Sequence, residues 1–306
     1  MELLVNLNRK EYINDFISMN VKCFVVGTKY FSCRTSLALE YKELDELCQK
    51  DINIYVLVNT FIHEDDLNDL KKHLNHLNQT KIKGIIFQDF SIMTFAKELN
   101  IDKELIYNPE TLNTNYQTLN VLKDKGVNGA FIAREISLDE KNDIALNTDL
   151  KTIVQVHGCE FMSYSRRPLL RNYSSYNNVS LNPSIESNIT IRPFKSDFKC
   201  HIYEDCYGTH ILTSKQLCSL DIMSLFKNVD YLYIESLFID PIDLIEVTHL
   251  YVQALEALNN NNYGKVKQEL MPMLRKIQPK VEYDHSFMFD NTVYKISDVR
   301  EIENND

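Results

Sequence analysis

The sequence predicts an α/β protein organised as a (βα)8 barrel of the TIM type. Short apolar segments alternate with amphipathic ones, the pattern that parallel strands joined by helices produce. Seven apolar segments precede residue 160, more than a compact open sheet needs, so we expect the sheet to close into a barrel. The predicted strands are Leu3–Val5, Lys22–Val26, Asn53–Val58, Gly84–Phe87, Glu104–Tyr107, Gly129–Ile132, Thr152–Val156 and, later in the chain, Tyr231–Ile234.

Amphipathic segments between the strands predict the helices. One apolar face has three- and four-residue spacing and consists of Leu67, Leu70, Leu74 and Leu77. Another helix is expected to start at Ser137–Glu140, because the form Ser-x-x-Glu is a capping box. After Pro241, two further helices are predicted at Ile242–Leu258 and Tyr263–Ile277, with a run of asparagines between them.

The remaining segments complete the predicted domain organisation. Residues 172–200 are rich in Asn and Ser and show weak periodicity, so we expect a long loop excursion from the carboxyl face of the barrel. We assign residues 1–240 to the barrel domain and residues 241–306 to a C-terminal helical pair and tail packed on it. Within this tail, residues 287–296 are expected to form a short hairpin or an ordered strap.

Composition narrows the class of protein. The hydrophobic fraction of 44% and the charged fraction of 25% are typical of a soluble globular protein. No apolar run approaches the ~18 residues of a membrane span, and the first residues do not resemble a signal peptide. We therefore expect a cytoplasmic protein with no membrane partner. The seven cysteines form no Cys-x-x-Cys pair and are expected to be free thiols.

The distribution of charge bears on nucleic-acid binding. A net charge of −10 argues against a general nucleic-acid coating protein, because phosphate binding relies on clustered Lys and Arg. Four of the nine arginines nevertheless fall within 27 residues, at Arg166, Arg167, Arg171 and Arg192. This cluster predicts a local basic patch, although a solvated loop explains Arg166 and Arg167 nearly as well.

The end of the seventh predicted strand has the strongest functional signal. Its β-branched run stops at His157 and Gly158, and a polar, arginine-bearing loop is expected to follow. Ligands bind at the carboxyl ends of strands in barrels, and a histidine there can titrate near neutral pH. The spacing alone, however, favours a capped strand end followed by a solvated loop.

Closure of the barrel would bring polar residues from other strand ends to the same face. The candidates are Arg34, Asn59, Gln88, Asp89, Asn113, Arg134, Glu135, His157 and Glu235. Arg34 or Arg134 could hold a carboxylate through two hydrogen bonds. His157 could accept or donate a proton, with Glu135 or Glu235 orienting its ring.

Structural roles are the alternatives for these candidates. Arg134 and Glu135 could form an ion pair at a strand end, and His157 could simply bond a neighbouring carbonyl group. Asn59 could serve a turn, and Glu235 could cap the next helical segment. The chain contains no glycine-rich phosphate loop, nucleophile elbow or His-Glu-x-x-His, so the common hydrolase chemistries have no support.

Several short motifs occur in a fixed order along nearly the whole chain. They are Met1–Leu4, Tyr55–Thr60, Ala133–Leu138, Val156–Gly158, Gly208–Ile211, Ser214–Cys218 and Tyr233–Glu235. In number and order they resemble the peptidase U32 family, the collagenase-like proteases. Within this family the chain looks like the short bacterial members that act in tRNA hydroxylation, in particular the first of two paired proteins of Gram-positive bacteria.

The resemblance implies a function and its ligands. Such relatives are implicated in prephenate-dependent 5-hydroxylation of the wobble uridine of tRNA, so prephenate is the expected co-substrate and tRNA an expected partner. Under this hypothesis the catalytic residues are His157, Glu135 and Glu235, the substrate-binding residues are Arg34, Asn59, Asn113 and Arg134, and the RNA-binding residues are Arg166, Arg167 and Arg171.

The chain departs from the family at the cysteines that hold an iron–sulfur cluster in many relatives. Phe161 and Pro168 occupy two of the four expected positions. Ser184–Asn188 supplies no cysteine for the third, and Cys218 alone matches the fourth. Since thiolates hold such clusters, we expect no cluster, no metal site and no bound cofactor.

This departure also shapes the expected assembly. The hypothesis pairs the chain with a paralogous U32 protein that has a complete cysteine set. The alternatives are a U32-type peptidase and a non-catalytic scaffold subunit of the hydroxylation complex.

Overall fold

Residues 1–192 and 199–290 are described by a computed structural model. The strands are β1 (Glu2–Asn6), β2 (Cys23–Thr28), β3 (Ala38–Leu39), β4 (Asn53–Val58), β5 (Gly84–Phe87), β6 (Glu104–Tyr107), β7 (Gly129–Phe131), β8 (Lys151–Ser165), β9 (Thr190–Ile191), β10 (Cys200–Asp205), β11 (Gly208–Cys218), β12 (Tyr231–Ile234) and β13 (Tyr283–Asp284). The α-helices are α1 (Ile13–Ser18), α2 (Tyr41–Leu47), α3 (Leu67–Gln79), α4 (Ser91–Glu98), α5 (Tyr116–Asp124), α6 (Leu138–Leu146), α7 (Leu169–Asn177), α8 (Pro241–Asn259) and α9 (Tyr263–Ile277).

Eight parallel strands close into a barrel. Their order is β12, β1, β2, β4, β5, β6, β7 and β8, and β12 pairs with β8 as well as with β1. All eight correspond to strands expected from the sequence. The predicted (βα)8 fold class is therefore confirmed.

The barrel sheet is buried on both faces, which explains why its strands could be predicted from the sequence. On β1, Leu4 points into the barrel interior, where it joins a cluster that includes Tyr55 and Phe131. Its neighbours Leu3 and Val5 point outward and pack in the layer between barrel and helices. Because side chains alternate along a strand and both layers are apolar, each strand reads as an unbroken apolar run.

Two of the predicted helices show the expected local signals. The leucine face lies on α3, and its members Leu70, Leu74 and Leu77 are buried. At the start of α6, the Ser137 hydroxyl accepts from the Glu140 amide, and the Glu140 carboxylate accepts from the Ser137 amide. These reciprocal hydrogen bonds confirm the capping box that the sequence predicts.

Strand β8 does not stop at His157 and Gly158, as the sequence suggested, but continues to Ser165. Beyond Gly158 it pairs with β11 in antiparallel fashion, and β10 and β9 extend the same sheet. We call residues 159–165 with β9, β10 and β11 the capping sheet. Gly158 has φ +98°, and a Cβ there would lie 2.3 Å from the carbonyl oxygen of Glu235, so only glycine fits.

The predicted loop excursion at residues 172–200 is thus partly regular. Its described part contains most of α7 and strand β9, and β10 begins at its last residue, Cys200; residues 193–198 lie outside the described residues. Helix α7 and strand β9 are short and mostly exposed, so they lack the apolar runs that marked the barrel strands.

The capping sheet crosses the carboxyl end of the barrel. At the turn between β10 and β11, the Tyr207 hydroxyl accepts a hydrogen bond of 2.8 Å from the Phe31 amide, beyond β2. At the end of β8, Arg166 Nη1 donates to the carbonyl O of Phe61 at 3.1 Å and to Asp66 at 3.0 Å, beyond β4. Since β4 lies opposite β8 in the strand order, these contacts span the barrel mouth.

Helices α8 and α9 were both predicted, and α8 packs beside β1 and α1, where the last helix of a barrel belongs. The Tyr251 hydroxyl on α8 donates to the carbonyl O of Val156 at 2.7 Å. Both helices share one hydrophobic core with the barrel. Of the predicted strap, Ser286–Phe289 form a 3-10 turn, and residues 293–296 lie outside the described residues. None of the described helices combines the length and apolarity of a membrane span.

Candidate functional site

A charged cavity of about 50 Å³ lies between the barrel mouth and the capping sheet. Its charged lining residues are Arg34, Glu110, Arg134, Lys141, Glu160 and Glu235. A groove of about 440 Å³ adjoins it and shares Arg134, Glu160 and Phe161 with it. The cavity therefore occupies the end of the barrel at which ligands bind in this fold class.

Two arginines converge on one carboxylate in this cavity. Arg34 Nη2 lies 3.2 Å from Glu110 Oε1, and Arg134 Nη1 lies 3.3 Å from Glu110 Oε2. The ring of Phe161 lies against both guanidinium groups, 4.8 Å from that of Arg34 and 5.1 Å from that of Arg134. We call Arg34 and Arg134 the arginine pair; it brings together two residues that the sequence had proposed separately.

The backbone around Arg34 is held by Asn59. The Cys33 amide donates to Asn59 Oδ1 at 2.9 Å, and Asn59 Nδ2 donates back to the Cys33 carbonyl at 3.0 Å. Asn113 likewise donates to the carbonyl of Phe131 at 2.8 Å. Both amides were predicted to bind substrate. Their hydrogen bonds go to the main chain and support the site, and Asn59 also lines the cavity, whereas Asn113 is not among its lining residues.

Glu235 is a buried carboxylate in the same cavity. Its oxygens accept hydrogen bonds from Asn6 Nδ2 at 2.8 Å, from the Tyr233 hydroxyl at 2.9 Å and from the amides of Ser236 and Leu237. Burial nevertheless raises its pKa to about 7. A carboxyl group that exchanges its proton near neutral pH is suited to acid–base catalysis.

Three charged lining residues, Glu110, Lys141 and Glu160, were missed from the sequence. Burial raises the pKa of the Glu160 carboxyl and lowers that of Lys141 to about 8. Lys141 Nζ donates to the carbonyl O of Arg134 at 3.1 Å and to that of Ile136. None of the three had a local signal, because Glu160 follows the predicted end of the strand, Lys141 lies on a helix and Glu110 lies on a loop.

His157 lies outside the cavity, contrary to its expected position. The register of β8 against β12 shifts by one residue between Gln155 and His157, and this bulge turns His157 toward α8. There it is 0% exposed, and its Nδ1 lies 3.3 Å from the Tyr251 hydroxyl. Burial lowers its pKa to about 3. This position does not support a role for His157 in proton transfer.

Glu135 does not pair with Arg134, which bonds Glu110 instead. The Glu135 side chain is not part of the cavity lining, although one of its oxygens is buried without a hydrogen-bond partner among the described residues. The predicted orienting contact between Glu135 and His157 therefore does not form.

The three predicted RNA-binding arginines differ in their partners. Arg166 pairs with Asp66 at 3.0 Å, and Arg171 Nε lies 3.0 Å from Glu204. Arg167 is exposed and its side chain has no such partner within the described part of the chain. Ion pairs with Asp66 and Glu204 therefore neutralise two of the three arginines of the predicted basic patch.

The residues at the expected cluster positions do not fit an iron–sulfur cluster. Phe161 faces the arginine pair, whereas Cys218 is buried on the other side of β11, with its Sγ 3.7 Å from Met271 Sδ. Cys159 lines the cavity, but burial raises the pKa of its thiol. Within residues 1–192 and 199–290, no group of three or more potential ligands is placed to hold a metal ion.

A closed (βα)8 barrel with a charged cavity at its carboxyl end defines the chain as a TIM-barrel protein. More particularly, the chain belongs to peptidase family U32, whose sequence profile matches residues 8–297. It is 30% identical to the "tRNA hydroxylation protein P2" of Bacillus subtilis (strain 168), over 96% of this chain and 99% of that protein.

Two further relatives are similar over shorter stretches. The "tRNA hydroxylation protein P1" of Bacillus subtilis is 26% identical over 39% of this chain and 28% of that protein. The "23S rRNA 5-hydroxycytidine C2501 synthase" of Escherichia coli (strain K12) is 26% identical over 54% of this chain and 25% of that protein. The match to P2 therefore covers more of the chain at a higher identity than the match to P1. The sequence motifs had suggested the first member of the pair.

Proposed function

We propose that the protein takes part in RNA hydroxylation, and specifically in prephenate-dependent 5-hydroxylation of the wobble uridine of tRNA. The observation that carries this proposal is the arginine pair, Arg34 and Arg134, converging at the carboxyl end of a barrel. The chain is also similar along nearly its whole length to a protein named for tRNA hydroxylation. Prephenate has two carboxylates, and paired guanidinium groups are the usual partners of carboxylates in proteins.

Acid–base chemistry in the proposed site is assigned to Glu235 rather than to His157. Glu235 lines the cavity and its pKa is raised to about 7, whereas His157 is buried beneath α8. Glu235 therefore exchanges a proton at the pH at which the protein would act.

Nucleoside analysis of tRNA tests the proposal. In a deletion strain of the source organism, hydroxylated wobble uridine should disappear, and the wild-type gene should restore it. Arg134→Lys, which keeps the charge but loses the fork of two donors, should fail to restore it. His157→Gln should restore it if the variant folds, and Lys151→Arg, at the opposite end of the barrel, is the matched control. Unchanged nucleosides in the deletion strain, with no redundant enzyme present, would reject the proposal.

Contact with tRNA is assigned to the exposed arginines that follow β8, Arg167 and Arg171. Arg167→Ala should weaken tRNA binding and reduce its salt dependence by about one released counterion. Arg171→Ala should have a smaller effect, because Arg171 already pairs with Glu204. Equal effects of the two substitutions in a filter-binding titration at several salt concentrations would argue against this assignment.

A scaffold role is the second candidate, and Phe161 favours it. The ring of Phe161 lies against both arginines at a position where the family resemblance expects a cluster ligand. In this case the chain supports a paralogous partner with a complete cysteine set. Co-purification with that partner, together with full activity of Arg134→Lys in the nucleoside assay, would favour the scaffold over the catalytic role.

The peptidase alternative has no such observation behind it. Cys159 is the thiol in the cavity, its pKa is raised by burial, and His157 points away from it toward α8. A thiol of this kind is a poor nucleophile.

A further inference from the structure

We propose that Glu110 occupies, in the ligand-free protein, the place of a carboxylate of a small organic dicarboxylic acid, and that such an acid displaces Glu110 from the arginine pair. The inference deepens the proposed function, on which it rests only for the identity of the acid. It makes Glu110 a residue that sets the affinity and charge preference of the cavity.

The contacts of Glu110 are those of a replaceable partner. Its two oxygens lie 3.2 Å from Arg34 and 3.3 Å from Arg134, whereas charge-assisted hydrogen bonds are usually about 2.7–2.9 Å long. Arg34 is only 5% exposed, so it needs an anionic partner at all times. Its Nε nevertheless has no hydrogen-bond partner among the described residues, which leaves a buried donor for a further ligand oxygen.

The backbone that bears Glu110 is strained. Glu110 has φ +67° and Leu112 has φ +77°, a region that side-chain-bearing residues rarely adopt. The Leu112 side chain is 73% exposed, so the segment between β6 and α5 is not held down by packing at this point. Movement of Glu110 out of the cavity would therefore release strain and break few apolar contacts.

The space available requires such a movement. A cavity of about 50 Å³ accommodates one or two water molecules, whereas small-molecule sites are usually about 300–1,000 Å³. The adjoining groove of about 440 Å³ supplies an entry route past Arg134 and Phe161. Of the groups bound to the arginine pair, Glu110 is the one whose role a ligand carboxylate can take over.

Charge favours a dianion over a monoanion. Without Glu110 the cavity keeps the cations Arg34, Arg134 and Lys141 against the carboxyl groups of Glu160 and Glu235. Burial raises the pKa of both carboxyl groups, that of Glu235 to about 7, so Glu235 holds a proton for part of the time near neutral pH. With Glu235 protonated and Glu160 counted at its formal charge, the cavity has two more positive than negative charges, which two ligand carboxylates neutralise and one does not.

Glu104 offers a matched control for the key substitution. Like Glu110 it is a largely buried carboxylate that bridges two cations, with Lys83 at 3.0 Å and Lys151 at 2.8 Å, but it lies at the amino end of the barrel. Glu110→Gln and Glu104→Gln should both lower the melting temperature of the free protein. Only Glu110→Gln should change the affinity for a dicarboxylate.

Isothermal titration with malonate, in the absence of RNA, tests the inference. Glu110→Gln should bind malonate about tenfold more tightly than wild type, because it removes the internal competitor. Glu104→Gln should match wild type, and acetate should bind all three proteins far more weakly. A larger rise in melting temperature on adding malonate should accompany the tighter binding of Glu110→Gln.

Several results would overturn the inference. Glu110→Gln binding malonate no better than wild type would mean that Glu110 is not a competitor, and absence of malonate binding in all variants would remove the site. Inorganic phosphate binding as tightly as malonate would make this a general anion site. The outcome is separable from the proposed function: malonate binding as expected with unchanged tRNA nucleosides in the deletion strain would reject RNA hydroxylation alone.

Discussion

At each end of the barrel a largely buried carboxylate bridges two cations, but the lengths of its contacts differ between the two ends. At the amino end, Glu104 bridges Lys83 at 3.0 Å and Lys151 at 2.8 Å, and the Tyr55 hydroxyl donates to it at 3.0 Å. At the carboxyl end, Glu110 bridges two arginines at longer distances, 3.2 and 3.3 Å. One end has short, complete contacts, and the other has long contacts beside a cavity.

The difference lies in solvent access and in backbone strain. The side chains of Lys83 and Lys151 are 43% and 39% exposed, so water shares their charge, whereas Arg34 is buried. The carboxyl end also contains a buried donor without a partner and backbone at positive φ around Glu110. Imperfect contacts of this kind collect where a protein binds ligands, since a ligand can complete them. The contacts at the amino end are those of a structural ion pair, and the contacts at the carboxyl end are those expected of a binding site.

Alanine at two of the three described glycines with positive φ, Gly158 and Gly126, should give the largest contrast between the ends. Gly158→Ala places a Cβ against the backbone of Glu235, so we expect a loss of about 3 kcal/mol or more in the free energy of unfolding. Gly126→Ala, at the amino side, has φ +91° but open space around it, and should cost about 1–2 kcal/mol. Urea denaturation measures both. Equal losses would mean that Gly158 is needed for its φ alone.

Removing one cation at each end should give the next largest contrast. Arg34→Met leaves Glu110 with one partner in a buried site, which should cost about 3 kcal/mol in the free energy of unfolding. Lys151→Met leaves Glu104 with Lys83 in a partly exposed site, and should cost about 1 kcal/mol or less. If Lys151→Met lowers the free energy of unfolding more than Arg34→Met does, then the ion pairs at the amino end contribute more to stability than those at the carboxyl end, and the prediction is wrong.

The contributions of Glu235 and Glu104 to the free energy of unfolding should depend on pH in opposite directions. Burial raises the pKa of Glu235 to about 7, so its contribution is fully present below the unfolded value and is lost as pH rises through about 7. Burial would also raise the pKa of Glu104, but hydrogen bonds from Lys151 and Lys83 outweigh it and lower that pKa. The contribution of Glu104 is therefore present above the unfolded pKa and lost as pH falls through its folded value.

Denaturation at several pH values checks this prediction. Glu235→Gln should remove a decline on the order of 2 kcal/mol between about pH 5 and pH 8. Glu104→Gln should leave that decline in place and instead flatten the acid side of the profile. A Glu235→Gln profile identical to wild type would mean that Glu235 is ionised throughout this range.

The expectations that failed share one physical cause. The end of β8 was expected at His157, but the strand continues to Ser165 because the capping sheet supplies partners that no local pattern records. The bulge at His157 turns its side chain outward, although alternation from Ile153 and Gln155 predicts an inward direction. Arg34 and Arg134 were identified from strand ends alone, but their shared carboxylate, Glu110, comes from a loop with no signal of its own.

The sequence by itself determined the eight barrel strands, four of the nine α-helices of the described residues (α3, α6, α8 and α9) and the end of the barrel at which the polar residues meet. These features depend on periodicity and on local capping, which act over a few residues and are therefore written in the chain. The tertiary structure alone decided that His157 faces α8, that Glu110 joins the arginine pair and that Lys141 and Glu160 line the cavity. Those outcomes depend on a one-residue register shift, on antiparallel pairing across the barrel mouth and on burial, each set by residues distant in sequence.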